Sequence, residues 1–144
     1  MNNESYYRCL AVIDRINDEA MKKFGSGYKF SIALGRNPSW WNVRYSAATF
    51  PRLSNIVTYA KLFNVSVEYL LTGKNRIKYI PCYVCCGNIY KKYKSQRISV
   101  DNCHKFAPIM FKVKRGSQVN LGTLFELEDV FKTPAYNLGF KESI

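Results

Sequence analysis

The sequence predicts an all-α protein made of two small helical units, residues 1–75 and residues 76–144. Apolar residues recur at steps of three and four, which is the period of a helix with one buried face. Glycine and proline interrupt these segments at short intervals, so the helices should be brief. A length of 144 residues leaves room for one domain or for two of roughly 70 residues each.

The first unit is predicted to contain five helices, because its apolar steps fall into five separate segments. The segments cover residues 3–24, 30–34, 38–46, 53–63 and 65–71. Glycines follow the first, second and fifth segments and mark their ends. Five short helices with brief connections make a complete all-α unit of about 75 residues, within the usual size range of small domains.

The third helix has the clearest boundaries. Asn37-Pro38 pairs a side chain that can cap a helix with a proline at the first helical position. Phe50-Pro51 marks the end, because proline disfavours helix in the residue that precedes it. The helix between them carries SWWNVRY and is predicted over residues 38–46.

The segments YKFSIALGRNPSWW and FPRLSNIVTYAKLFNVSVEYLLTG, at 28–41 and 50–73, carry a family pattern. The second resembles the LxxIVxxAxxxNVSxxYLLTG of the Cro/lambda-repressor-like helix-turn-helix family, also called the XRE family. The first resembles the helix, turn and recognition helix of that family, with Trp41 at a buried position. The resemblance implies a DNA-binding domain at 1–75 that occupies an operator as a bacterial or phage transcriptional regulator, in the simplest case a repressor.

The end of the recognition helix departs from the family pattern. Arg44 stands three positions after Trp41, where the family usually has an apolar residue. The usual Glu-Asn-Gly ending is replaced by SAAT at 46–49. We expect Tyr45 to fill the gap in the core.

Base contacts are expected from the recognition helix, because a helix-turn-helix places its N-terminal part in the major groove. The candidates that face the groove are Ser39, Asn42, Val43, Asn37 and Trp40. Asn42 is the preferred reader, since an amide can form two hydrogen bonds with adenine. For Asn37, the competing interpretation is a cap and nothing more.

Phosphate contacts are expected from basic residues around the recognition helix and from a second basic segment. In the first unit these are Lys29, Arg36, Arg44 and Arg52, and in the second Lys112, Lys114 and Arg115. Each could equally be an ordinary solvated charge. Their clustering favours a role in binding.

The second unit contains a faint internal repeat of the first. An offset of 68 residues aligns six apolar pairs without a gap, beginning with Leu53 and Leu121. Upstream, residues 97–106 and 107–116 are predicted as a pair of helices, the second of them a recognition helix that ends at Gly116. Residues 76–144 are therefore predicted as a second helical module that is a degenerate helix-turn-helix.

The cysteines leave three alternatives open. Cys82, Cys85 and Cys103 could contribute to a zinc site, or the thiols could sense redox state, although the spacing suits neither use well. The favoured interpretation is a helix from residue 82 onwards, with Cys82, Cys86, Ile89 and Tyr93 on its buried face. No metal ion or other cofactor is therefore predicted.

The charge balance favours a polyanion, nucleic acid or an anionic membrane surface, as the partner, and the helix-turn-helix resemblance implies double-stranded DNA. Lys and Arg number 22 and Asp and Glu 10, which leaves a formal charge of +12. Residues 1–75 hold ten basic and five acidic residues, and residues 76–144 hold twelve and five. A single histidine and the lack of a catalytic triad, phosphate loop or HExxH motif argue against an enzyme.

The sequence also supports expectations about cellular location and oligomeric state. The chain has neither an apolar run of about 18 residues nor a signal-peptide pattern, which predicts a cytoplasmic protein with no membrane contact. Family members commonly bind two-fold operators as dimers, so a homodimer is expected, unless two copies within one chain cover both half-sites. A protein-interaction module of antitoxin or anti-repressor type is the alternative function, because a fold does not guarantee a function.

Overall fold

Helices make up most of the chain, which the computed structural model describes over residues 1–143. Within this range the elements are α1 (Asn3–Phe24), α2 (Gly27–Ala33), α3 (Trp40–Ser46), α4 (Leu53–Phe63), α5 (Val67–Thr72), β1 (Cys82–Val84), α6 (Gly87–Ser95), α7 (Val100–Lys114), α8 (Leu121–Phe131), α9 (Ala135–Gly139) and β2 (Phe140–Glu142). The prediction of an all-α protein is confirmed, apart from one sheet of two short strands. None of the described helices has the length and apolar character needed to span a bilayer.

Local caps define the ends of α1 and the start of α5 in the first unit. The Asn2 side chain accepts a hydrogen bond from the Ser5 amide, at 2.8 Å, and begins α1. Gly25, with a φ of +85°, ends α1 in the left-handed conformation that glycine adopts without strain. Ser66 caps α5 in the same way, by accepting a hydrogen bond from the Tyr69 amide at 3.1 Å. These helices therefore lie where the sequence places them.

The start of α3 corrects the prediction of a helix over 38–46. The Trp40 amide donates to the Asn37 carbonyl at 2.9 Å, which makes a separate turn before the regular helix begins at Trp40. Within that turn the Asn37 side chain accepts hydrogen bonds from the Ser39 amide, at 2.9 Å, and from the Ser39 hydroxyl, at 2.8 Å. Asn37 thus caps the turn, and the helix begins two residues later than predicted.

The predicted pair of helices at 97–106 and 107–116 is wrong, because residues Val100–Lys114 form one helix, α7. Pro108 lies inside α7 on its exposed side. Phe106, Met110 and Val113 form a buried stripe on the opposite side, and this packing offsets the cost of the proline. A turn between two helices is absent from residues 97–114, so the second unit contains no second helix-turn-helix there.

The 68-residue offset nevertheless reproduces a pair of helices. Leu53–Phe63 corresponds to Leu121–Phe131, so α4 and α8 have the same bounds after the shift, and α9 begins 68 residues after α5. The residue after each longer helix is left-handed, with φ +54° at Asn64 and +52° at Lys132. The resemblance between the units is therefore limited to α4–α5 and α8–α9.

The predicted helix from residue 82 is also corrected. Cys82 lies in β1, which pairs antiparallel with β2 so that Cys82 is opposite Glu142, and α6 begins only at Gly87. Cys82, Cys86 and Ile89 are buried as predicted, although they do not share one helix. A strand partner about 60 residues away leaves no trace in the local periodicity.

The two units share one continuous apolar core. Helix α1 packs against α5 and also against α8, and β1 packs against α4. Arg8 of α1 forms an ion pair with Glu128 of α8. Arg76 forms an ion pair with Glu19, where two nitrogens lie 3.0 Å from the two carboxylate oxygens. The boundary between residues 75 and 76 therefore marks no break in the packing.

Candidate nucleic-acid interface

The buried Ser31 and Trp41 set the position of α3. The Ser31 hydroxyl donates to the Gly27 carbonyl at 2.8 Å and accepts from the Trp41 amide at 2.9 Å. The Trp41 indole donates to the Asn17 side chain at 3.0 Å, and its ring packs edge-on against Phe30. One side of α3 is thereby held against α1 and α2, and the other side faces solvent.

The solvent side of α3 carries two of the predicted base readers. Val43 is 62% exposed, and Asn42 is exposed beside it. The Asn42 amide lies over Gly27 at the start of α2, so closely that a methyl group at residue 27 would collide with it. Gly27 therefore leaves the space that this amide occupies. Two other predicted readers, Asn37 and Ser39, are exposed and hydrogen-bonded to each other in the turn before α3.

Trp40, the fifth predicted reader, lies between two arginines. The guanidinium carbon of Arg44 is 4.6 Å from the indole centroid, and that of Arg36 is 5.3 Å from it. Both distances are within the range of cation–π contacts. Trp40 therefore orients two predicted phosphate ligands and is half-buried among them.

Arg36, Arg44 and Arg52 line one open cavity of about 460 Å³ beside α3. Its walls also carry hydrogen-bonding groups, and none of its lining residues is acidic; the polar ones are Thr49, Ser54 and Asn55. Within residues 1–143, none of the three guanidinium groups forms an ion pair with a carboxylate. The cavity thus concentrates positive charge that no carboxylate of residues 1–143 neutralises by an ion pair.

Three further features suit this cavity to an anion. The Arg44 Nε is buried and has no hydrogen-bond partner within the described residues. Helix α4 begins at Leu53, after Arg52, without a side-chain cap, so its free N–H groups add partial positive charge. Burial raises the pKa of Tyr59 to about 12 even though Arg44 and Arg36 oppose the shift, so this wall of the cavity stays neutral. A phosphate group has the geometry and charge to bind such guanidinium groups.

No protein-family model, curated protein or solved structure matches this chain. What the cavity binds must therefore be inferred from its own residues. Sequence reasoning found the arginines and missed their polar neighbours on α4, Ser54 and Asn55. The contact between Trp40 and Arg44 could have been predicted, since the two residues are four apart, a spacing that brings side chains together on a helix.

The remaining predicted phosphate ligands lie elsewhere. Lys29 is exposed on α2 and does not line the arginine cavity. Lys112 lines a separate small cavity beside α8. Lys114 lies on the α6 side of α7, with its Nζ 5.6 Å from the Tyr90 ring centroid, and Arg115 is exposed at the end of α7. The structure thus brings three of the seven residues into one site.

The cysteines form no cluster of the kind that metal ions require. In the part of the chain that the structure describes, no three Cys, His, Asp or Glu side chains are grouped to hold a metal ion. Burial raises the pKa of the Cys82 and Cys86 thiols, and Cys85 and Cys103 are half-buried. Protonated, buried thiols react slowly with oxidants, so Cys82 and Cys86 are poor candidates for a redox sensor.

Proposed function

We propose that the protein is a sequence-specific double-stranded DNA-binding regulator of the Cro/lambda-repressor-like type and acts as a repressor. Its reading unit is α2, the turn at 34–39 and α3. The observation that carries the proposal is the cavity beside α3 where Arg36, Arg44 and Arg52 meet and where, within residues 1–143, none of them has a carboxylate partner. Phosphate and base contacts are adjacent in this way on proteins that read the major groove.

The arginine cavity and the exposed side of α3 have different roles in binding. The arginine cavity holds a backbone phosphate through charge-assisted hydrogen bonds and so sets the orientation of the protein without reading sequence. The exposed side of α3 then enters the major groove, where the Asn42 amide pairs with adenine and Val43 contacts a thymine methyl group. Repression follows from occupancy of the operator, and no catalytic step is involved.

A second candidate function is a protein-interaction module on the same scaffold. Exposed apolar side chains favour it, since Tyr28 and Ile32 on α2 are 55% and 51% exposed and Val43 on α3 is 62% exposed. Single exposed apolar residues are common, whereas the uncompensated arginines are not explained by a protein partner unless that partner is acidic. DNA remains the better match.

The test is duplex binding by fluorescence anisotropy at a series of salt concentrations, followed by selection from a random duplex library. Arg36→Ala should weaken binding to all sequences alike, and Asn42→Ala should relax the sequence preference by about 1–3 kcal/mol at one position. Lys61→Ala is the matched control, because Lys61 is exposed at the opposite end of α4 from the cavity.

The outcomes separate the two functions. Binding that is lost steeply with salt, together with different effects of the two variants, supports DNA reading. If the protein binds no duplex even at low salt, the regulator proposal is wrong and the interaction module takes its place. Equal losses by Arg36→Ala and Asn42→Ala on selected and scrambled DNA would overturn the division of roles.

A further inference from the structure

The arginine cavity is one end of a longer groove. A second cavity of about 420 Å³ shares Phe50, Pro51 and Arg52 with it and extends along the start of α8. A third cavity of about 190 Å³ shares the segment 118–120 with the second and reaches Lys112 on α7. Each cavity shares wall residues with the next, so the three lie in series along the surface from α3 to α7, and together they are called the groove.

The groove is positive at both ends and has no acidic wall residue. Arg36, Arg44 and Arg52 lie at one end and Lys112 at the other, and the wall between them is apolar or carries neutral amides. Two acidic residues lie close in sequence to the second cavity, and neither lines it: Glu4 is exposed, and Glu126 is buried and paired with Lys105, at 3.1 Å, and with the N-terminal amine, at 3.8 Å. The charge pattern therefore matches a polyanion that lies along the groove.

We infer that this groove carries the sugar-phosphate backbone of one DNA strand away from the reading unit and that Lys112 contacts a phosphate beyond the half-site. This inference rests on the proposed function, because the arginine cavity supplies the first phosphate contact of the same strand. On this inference, the second unit lengthens the stretch of DNA that the protein covers, and it does so without a second recognition helix. Amide side chains such as Gln118 supply neutral hydrogen bonds to the backbone between the charged ends.

Helix α7 provides a matched pair of lysines for the test. Lys112 and Lys114 are both exposed and two residues apart, but Lys112 lines the groove and Lys114 lies against Tyr90 on the α6 side. Replacement of either by glutamine removes one charge from the same helix. A contribution from overall charge would affect both variants equally, whereas a backbone contact in the groove would affect only Lys112→Gln.

The experiment measures binding of wild type, Lys112→Gln and Lys114→Gln to duplexes of about one and about two helical turns, ~10 and ~20 base pairs. On the longer duplex, Lys112→Gln should lower the slope of log K against log salt by about 0.9, which is about an eightfold loss at ~0.1 M salt. Lys114→Gln should match wild type on both duplexes. Gln118→Glu, which places a negative charge in the wall shared by the second and third cavities, should also weaken binding to the longer duplex only.

On the shorter duplex all four proteins should bind alike, because that DNA does not reach Lys112. Thermal unfolding of each variant shows whether the fold is retained. If wild type binds DNA and Arg36→Ala weakens it while Lys112→Gln and Lys114→Gln behave alike, the groove is not a DNA track and the proposed function stands. If wild type binds no duplex, the proposed function and the groove inference both fail.

Discussion

Arg44 offers a test in which stability and DNA binding should change in opposite directions. Its Nε is buried without a hydrogen-bond partner, at a position where an apolar side chain would pack against Trp40 and Tyr59. An unpaired buried donor costs about 1–3 kcal/mol. The cation–π contact of Arg44 with Trp40, in which the guanidinium carbon lies 4.6 Å from the ring centroid, offsets about 0.5–1 kcal/mol of this cost. Arg44→Met keeps the stem and removes the donor, so it should stabilise the protein by about 1 kcal/mol.

A gain of about 1 kcal/mol corresponds to a rise of about 3 °C in Tm for a chain of this length, measurable by calorimetry. The same variant should lose one phosphate contact and lower the salt slope of duplex binding by about 0.9. Arg36→Met is the control, because Arg36 is exposed and should lose DNA affinity without any gain in stability. If Arg44→Met is less stable than wild type, the buried Nε carries no net cost; if it binds DNA unchanged, Arg44 does not contact a phosphate.

Three further predictions concern other parts of the molecule. Ala48 has a φ of +52°, so Ala48→Gly should stabilise the protein by about 1 kcal/mol in urea unfolding, and a loss of stability would contradict this. Gly27→Ala should displace the Asn42 amide and alter sequence preference in library selection while the salt slope stays unchanged, and an unaltered preference would argue against Asn42 as a reader. Burial raises the pKa of the Cys9 thiol from 9.0 to about 11, so this thiol loses its proton at a lower pH in the unfolded chain than in the folded protein. The free energy of unfolding therefore falls as pH rises through that range. Between pH 9.0 and about 11, wild type should lose roughly 2–3 kcal/mol more than Cys9→Ala, and equal losses would be inconsistent with the shifted thiol.

Local signals placed α1, α4 and α5 to within two residues, missed the starts of α2 (Gly27–Ala33) and α3 (Trp40–Ser46), and failed in the second unit for identifiable reasons. Apolar steps of three and four predicted α1, α4 and α5, because the residues that form the buried face of a helix lie within the helix itself. In the second unit the sequence predicts two helices, at 97–106 and 107–116, whereas tertiary packing of Phe106 and Met110 sustains the single helix α7. Local preference is a weak term that packing can override.

Part of the candidate site could likewise be predicted from the sequence, and part depends on tertiary contacts. Composition and the resemblance in residues 28–73 selected Arg36, Arg44 and Arg52 as phosphate ligands, since charge can be read along a chain. Their convergence on one cavity, and its continuation past residues 118–120 to Lys112, depend on the contact between two segments more than 60 residues apart. The helical class, the excess of basic residues and the exposed side of α3 can be predicted from the amino-acid sequence, because they follow from composition and short periodicities. The shared core and the groove cannot, because they depend on long-range contacts such as the packing of α1 on α8 and the pairing of β1 with β2.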